Sequence, residues 1–331
     1  MPITHATPTS ADSIVILVPV FNDWESLAAL LATLDRELDA AGVAARVLVA
    51  DDGSTADPGP GPLAGGYRAL LAVEVLELRR NLGHQRAIAV GLAYIEDRDP
   101  CGTVVIMDSD GEDDPRDVPR LLHAYREQGG QKIVFAERSR RSESLLFRAF
   151  YALYKLTYRL LTGRTVRFGN FSVIPRRRLA SLVTASELWN HYAAAVLKSR
   201  QPYCTLPTRR SRRLHGEPKM NFVGLVIHGL SAFSVDSDLV GVRLLVLTLV
   251  MIALAIVGLI AIATIRLATD LAIPGWATTA FGVITILLFQ TIILAVIFSF
   301  ITLSGRQGSF FLPRRDYAHY VGRVYPLWQE G

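Results

Sequence analysis

Two uncharged, apolar stretches near the carboxyl end limit the architectures open to this chain of 331 residues. Leu244 to Ile265 carries no formal charge, and Ala277 to Leu303 has only Gln290 as a strongly polar interruption. Crossing the ~30 Å hydrocarbon core of a bilayer takes about 20 apolar residues in helical form, because every backbone N–H and C=O must find its partner inside the segment. Both stretches meet that length. The turn between them, Arg266 to Trp276, contains the breakers Pro274 and Gly275, so the pair is expected to form a two-helix transmembrane hairpin within residues 239–303.

Basic residues crowd both flanks of the hairpin. Arg200, Arg209, Arg210, Arg212, Arg213 and Lys219 precede it, and Arg306, Arg314, Arg315 and Arg323 follow it, whereas the turn has only Arg266, offset by Asp270. The positive-inside bias therefore places both termini and the large polar portion in the cytoplasm. Met1 to Asp12 contains no apolar segment that would export the chain. The net charge of +5 has its bases beside the apolar runs, which favours an anionic lipid bilayer as partner, at about 1 kcal/mol per Lys or Arg, over nucleic acid. Just upstream, residues 221–236 carry Phe222, Leu225, Val226, Leu230 and Phe233 on one helical face opposite Asn221, His228 and Ser231, a pattern that fits either an interfacial amphipathic helix or a simple extension of the first span. Cys101 and Cys204 show no metal-ligand spacing and read as reduced thiols.

Residues 1–220 alternate strand and helix. Ile14 to Val18, Val47 to Ala50, Val73 to Leu78, Thr103 to Met107, Lys132 to Ala136 and Phe171 to Pro175 are apolar runs of strand length. Trp24 to Leu38, Gln85 to Ile95, Leu121 to Gln128 and Leu145 to Leu161 have helical spacing. This order predicts an α/β domain with a mostly parallel sheet whose ligand site lies beyond the carboxyl ends of the strands. Polar punctuation falls at those ends: Asn22-Asp23, Asp51-Asp52, Asn81 and Asp108-Ser109-Asp110.

The acidic triplet is the most telling of these. Carboxylates massed at a strand end repel one another unless a cation joins them, and a strand continuing through Asp108 and Asp110 would project both to one side, where they could share a hard divalent ion with diphosphate oxygens. A dinucleotide-dependent oxidoreductase would place a glycine fingerprint after the first strand, where this chain has Phe21-Asn22-Asp23-Trp24. A processive polysaccharide synthase would carry a Q-x-x-R-W motif and further spans, and this sequence has neither.

Taken in order, VPVFND (18–23), DDGS (51–54), RRNLGHQRAIAVGL (79–92), MDSDGEDDP (107–115) and RRLHGEPKMNF (212–222) make the chain resemble the polyprenyl-phosphate branch of glycosyltransferase family 2. The resemblance implies a GT-A-type nucleotide-sugar-binding domain, followed by the interfacial helix, the hairpin and a cytosolic tail over 304–331. It implies nucleotide contacts from Pro19, Asn22, Asp23 and Asp51, and a Mg²⁺ or Mn²⁺ site at Asp108, Asp110 and Glu112. It assigns Arg138, Arg148, Arg213 and Lys219 to the phosphates of donor or acceptor, with Asp110 and Arg138 taking part in catalysis. Gly169-Asn170-Phe171 matches a segment that often reads Gly-Asp-Phe in the family, so Asn170 is expected to orient a reactant. The implied substrates are a nucleoside-diphosphate-sugar and a polyprenyl phosphate, the implied setting is a bacterial-type inner membrane, and the implied assembly is a homo-oligomer. The aromatic tail, with Phe310, Phe311, Tyr317, Tyr320 and Trp328, is expected to pack on the soluble domain or on a neighbouring subunit.

Overall fold

The computed structural model describes residues 13–58, 66–138, 145–163, 168–208, 211, 230–269, 275–307 and 311–329. Its strands are β1 (Ile14–Val20), β2 (Ala45–Asp51), β3 (Leu70–Leu78), β4 (Thr103–Ile106), β5 (Ile133–Arg138), β6 (Ser172–Pro175), β7 (Tyr203–Thr208) and β8 (Val321–Gln329). Its helices are α1 (Trp24–Ala40), α2 (His84–Arg98), α3 (Asp117–Glu127), α4 (Leu145–Thr162), α5 (Arg176–Leu182), α6 (Tyr192–Lys198), α7 (Ser237–Ala268), α8 (Trp276–Gln307) and α9 (Pro313–Asp316). Among the described residues the strands form one sheet in the order β7-β5-β6-β4-β1-β2-β3-β8.

The expected α/β architecture with a mostly parallel sheet is present. β1 pairs in parallel with β2 and β4, β2 with β3, and β5 with β7. Alternation along β1 shows how the sheet is buried on both faces. Val15 and Leu17 enter a core shared with α2 and α6, while Ile16, Val18 and Val20 enter a second core shared with α1. Such two-sided burial is why these strands read as unbroken apolar runs. Helix α2 lies close to β1 at Gly91, where an added Cβ would stand 2.5 Å from Leu17 Cδ1.

Two strands were not expected from the sequence, β7 and β8, and β6 runs antiparallel to both β4 and β5. β8 follows the apolar hairpin and pairs antiparallel with β3 from Ala72–Gln329 to Leu78–Val321. The segment before it is tied to α2: Tyr317 is buried, its hydroxyl donates to Asp97 Oδ2, and Arg314 pairs with Glu96 at 2.7 Å. Trp328 meets Tyr67 edge-on at 5.0 Å. The tail thus packs on the soluble domain as part of its sheet; Phe310 lies outside the described residues.

The chain divides into two compact units. One unit comprises Met1–Arg148, Val166–Val235 and Phe310–Gly331, and the other Ala149–Thr165 and Asp236–Ser309. In the second, α7 and α8 are long and apolar enough to cross a membrane, and of their most apolar windows only 11% and 0% is buried within the protein. Arg243 on α7 donates through Nη1 to the Leu160 carbonyl at 2.6 Å, satisfying one of the acceptors left open at the carboxyl end of α4. Of the segment 221–236, residues 230–235 are helical and belong to the first unit, where Lys198 Nζ donates to the Val235 carbonyl. Residues 221–229 lie outside the described residues.

Candidate active site

Because β1 to β4 run in parallel and β5 runs with them, the carboxyl ends of these strands share one edge of the sheet. That edge gathers Asn22, Asp51, Asp52, the loop 79–83, the acidic turn 108–114 and, from the start of the antiparallel β6, Asn170. Pro19 is buried in β1 opposite Ala50, beyond the Leu17–Ile106 pair where β4 leaves the ladder. At that position its missing N–H costs the sheet no bond to β4.

The first two strand ends are locked together. Asn22 takes a left-handed conformation, φ 49°, and its Oδ1 accepts the backbone N–H groups of Thr55 and Ala56 at 2.9 and 3.1 Å. Its own N–H donates to Ser54 Oγ at 2.8 Å, and Trp24 Nε1 donates to the Ala56 carbonyl at 2.7 Å. Asp51 Oδ1 accepts the Ser54 N–H, and burial pushes its carboxyl above the usual range, only partly offset by the bonds from Ser54. Asp23 accepts from Ser26 Oγ at 2.8 Å. Asn22, Asp23 and Asp51, expected as nucleotide contacts, are therefore also the residues that shape this corner.

Asp52 was not singled out by the sequence. It is 3% exposed, and its two oxygens accept the N–H groups of Leu82 and Gly83 at 2.6 and 2.8 Å, fixing the loop that leads into α2. Burial raises its pKa despite those two bonds. The corner closes on Gly53, at φ 71°, where a Cβ would lie 2.7 Å from Asn81 N. Replacing Asp52 with alanine leaves one buried and one half-buried donor unmet, so Asp52→Ala should cost about 2–4 kcal/mol, read as a lowered thermal midpoint in detergent together with reduced activity.

The acidic turn departs from the expected geometry. β4 ends at Ile106, so strand alternation does not orient Asp108 and Asp110. A turn does so instead. The Asp108 N–H donates to buried Asp113 Oδ2 at 3.0 Å, the Glu112 N–H donates to Asp110 Oδ1 at 3.0 Å, and Gly111 supplies φ 80° between them. Ser211 docks on the far side, its N–H on the Glu112 carbonyl and its hydroxyl on Asp114. Among the described residues no three His, Cys, Asp or Glu side chains converge as a ready-made metal cage. An all-oxygen pair still fits a small divalent ion that keeps substrate phosphate oxygens and water as its remaining ligands.

His84, the first residue of α2, joins this turn to Asn170. Its Nε2 lies 3.2 Å from Asp108 Oδ1 and 2.9 Å from Asn170 Nδ2. Its side chain keeps 41% of its exposure, and the partial loss of solvation that works against its proton is outweighed by the carboxylates of Asp108, then Asp113 and Asp110, which raise its pKa. Gln85 Nε2 donates to Asn170 Oδ1 at 3.1 Å. His84 and Gln85 were missed as site residues; the available signal was a pair of polar side chains opening an otherwise apolar helix. Arg138 closes β5 at the same edge, and Arg148 lies on α4. Arg213 and Lys219 fall outside the described residues.

Relatives of this chain match it along nearly its whole length. The undecaprenyl-phosphate 4-deoxy-4-formamido-L-arabinose transferase of Edwardsiella ictaluri is 24% identical over 335 residues, covering 94% of this chain and 89% of its own. The protein of the same name from Salmonella paratyphi B is 25% identical over 327 residues, covering 97% and 90%. Among solved structures, glucosyl-3-phosphoglycerate synthase from Mycobacterium tuberculosis, in complex with Mn²⁺, UDP-glucose and phosphoglyceric acid, aligns over 72% of this chain and 86% of its own at 16% identity with a TM-score of 0.49. Residues 15–180, from β1 into α5, match the sequence profile of glycosyl transferase family 2. That span is half of the chain and contains the acidic turn, His84, Gln85 and Asn170, so the chain belongs to glycosyl transferase family 2.

Proposed function

We propose that this protein is a membrane-bound inverting glycosyltransferase that moves a sugar from a nucleoside-diphosphate-sugar to a polyprenyl phosphate at the cytosolic leaflet, and that it uses Mg²⁺ or Mn²⁺. The observation that carries the reading is the acidic turn 108–114 at the carboxyl edge of the parallel strands, in a chain that also contains two helices of membrane-crossing length. The relatives named for undecaprenyl phosphate, matched along nearly their whole length, support the lipid acceptor.

In this reading a phosphate oxygen of the acceptor attacks the anomeric carbon. The bond from that carbon to the nucleoside diphosphate breaks, and the diphosphate departs with the electron pair. A phosphate monoester has its second pKa near ~6, so the attacking oxygen is already anionic at neutral pH and needs no protein base. Asn170, which is no base, suits such a reaction as an orienting hydrogen-bond partner. Asp108 and Asp110 would hold the divalent ion, which when bound offsets the charge of the diphosphate. Arg138, Arg148, Arg213 and Lys219 are assigned to the remaining phosphate charge, and Pro19, Asn22, Asp23 and Asp51 to the nucleoside. The basic residues that flank the apolar pair in the sequence suit an anionic leaflet.

The test is direct. Membranes containing the protein are incubated with a panel of radiolabelled nucleotide-sugars and undecaprenyl phosphate, with and without Mg²⁺ or Mn²⁺. One donor should carry label into the organic phase only when both the lipid phosphate and the ion are present. Label that enters the organic phase without added lipid phosphate, or from no donor at all, would overturn the acceptor assignment.

A further inference from the structure

A backbone N–H decides which way the Asn170 amide faces. Asn and Gln amides have a donor end and an acceptor end of nearly equal shape, so their orientation must be read from a partner that can do only one thing. Tyr192 N, at the start of α6, can only donate, and it lies 2.8 Å from the Gln85 amide, so the Gln85 atom it meets is Oε1. Gln85 Nε2 is then the end that reaches residue 170, at 3.1 Å, and a donor there requires Asn170 to present Oδ1. The Asn170 NH₂ group is left facing His84 and the acidic turn, 2.9 Å from His84 Nε2.

The chain of constraints is rigid at its base. Gln85 is 8% exposed, and Tyr192 is fully buried, with its hydroxyl 2.7 Å from Ser172 Oγ. Ser172 Oγ in turn donates to the Asn170 carbonyl at 2.8 Å, so residue 170 is held by main chain and side chain alike. With His84 unprotonated at Nε2, that atom accepts one hydrogen of the Asn170 NH₂, and the second remains for an oxygen of a bound reactant.

We propose that Gln85 is a positioning residue that fixes Asn170 as a hydrogen-bond donor at the reaction site, its own orientation being set by the Tyr192 N–H. This rests on the transfer reaction proposed above and adds to it that residue 170 acts by donating to an anionic oxygen. Aspartate at that position would offer no such donor.

Gln85→Glu tests it with a side chain of the same shape. The ionised carboxylate of this variant still accepts from the Tyr192 N–H but cannot donate to Asn170, whose amide then turns its NH₂ inward and its oxygen toward the site. Transfer by the wild-type protein is established first, so that absence of any transfer speaks against the reaction and not against the relay. Gln85→Glu should lower kcat about 30-fold, with the KM for the nucleotide-sugar within about twofold and the thermal midpoint little changed, a loss within the range for one preorganised donor. In an Asn170→Ala background the same substitution should change kcat less than about threefold, because its effect passes through Asn170. Unchanged kcat in Gln85→Glu, an equal loss in both backgrounds, or a loss accompanied by a collapsed thermal midpoint would overturn the assignment. Should Asn170→Ala be too slow to measure, the pH profile decides. Once protonated, the introduced carboxyl regains a donor, so the ratio of Gln85→Glu to wild-type activity should rise as pH falls, and a flat ratio would overturn the assignment.

Discussion

Asp110→Asn is expected to reduce sugar transfer roughly 10²–10³-fold or more while the protein remains folded. The expectation follows from what the substitution keeps and what it removes. Asparagine retains an Oδ1 able to accept the Glu112 N–H that Asp110 accepts at 3.0 Å, so the turn that begins after β4 should survive. The negative charge is lost, and with it half of the carboxylate pair assigned to the divalent ion and the diphosphate. Activity should be measured as label transferred to lipid across a range of Mg²⁺ and Mn²⁺ concentrations, beside a thermal midpoint that shifts by only a few degrees. Wild-type turnover in this variant would remove Asp110 from the reaction.

The second large effect is expected from the other end of the chain. Truncation before Phe311 should leave no active, monodisperse protein. The deletion removes the ladder that covers β3 from Ala72 to Leu78, the Trp328–Tyr67 contact and buried Tyr317, and with them the bonds to Glu96 and Asp97 on α2. An uncovered edge strand of nine residues is a template for pairing with other chains. The loss should claim a large share of the ~5–15 kcal/mol that holds a domain folded. Size-exclusion chromatography in detergent and limited proteolysis would show it. A truncated protein that stays monodisperse and active would mean that β8 contributes little to the sheet.

Much of this fold could be read from local pattern, and the exceptions have physical causes. β1, β2, β4 and β6 are buried on both faces and stand out as apolar runs closed by polar residues. β8 lacks that mark: it contains Gly322, Arg323 and Pro326, it lies at the sheet's edge, and its partner strand is some 250 positions earlier in the sequence, as in Val73–Trp328. The acidic turn was located correctly by composition, but its orientation was not, because alternation holds only while the strand continues and β4 stops at Ile106. Of the adjacent Asp51 and Asp52, family resemblance drew attention to the first. The second is the one whose both oxygens hold the loop before α2, a role visible only when Leu82 and Gly83 come near. His84 and Gln85 meet Asn170 across more than eighty residues, which no spacing rule anticipates.

The sequence position of β8 has a consequence for biogenesis. The sheet is interrupted by the whole hairpin and closed by its last strand, so α7 and α8 are an insertion within one folding unit. A ribosome making this chain delivers both apolar helices before it delivers the strand that covers β3, and domains fold as their segments emerge. The nascent protein therefore completes its fold only after its two long apolar helices have been synthesised, which ties maturation of the sheet-containing unit to prior emergence of the hairpin.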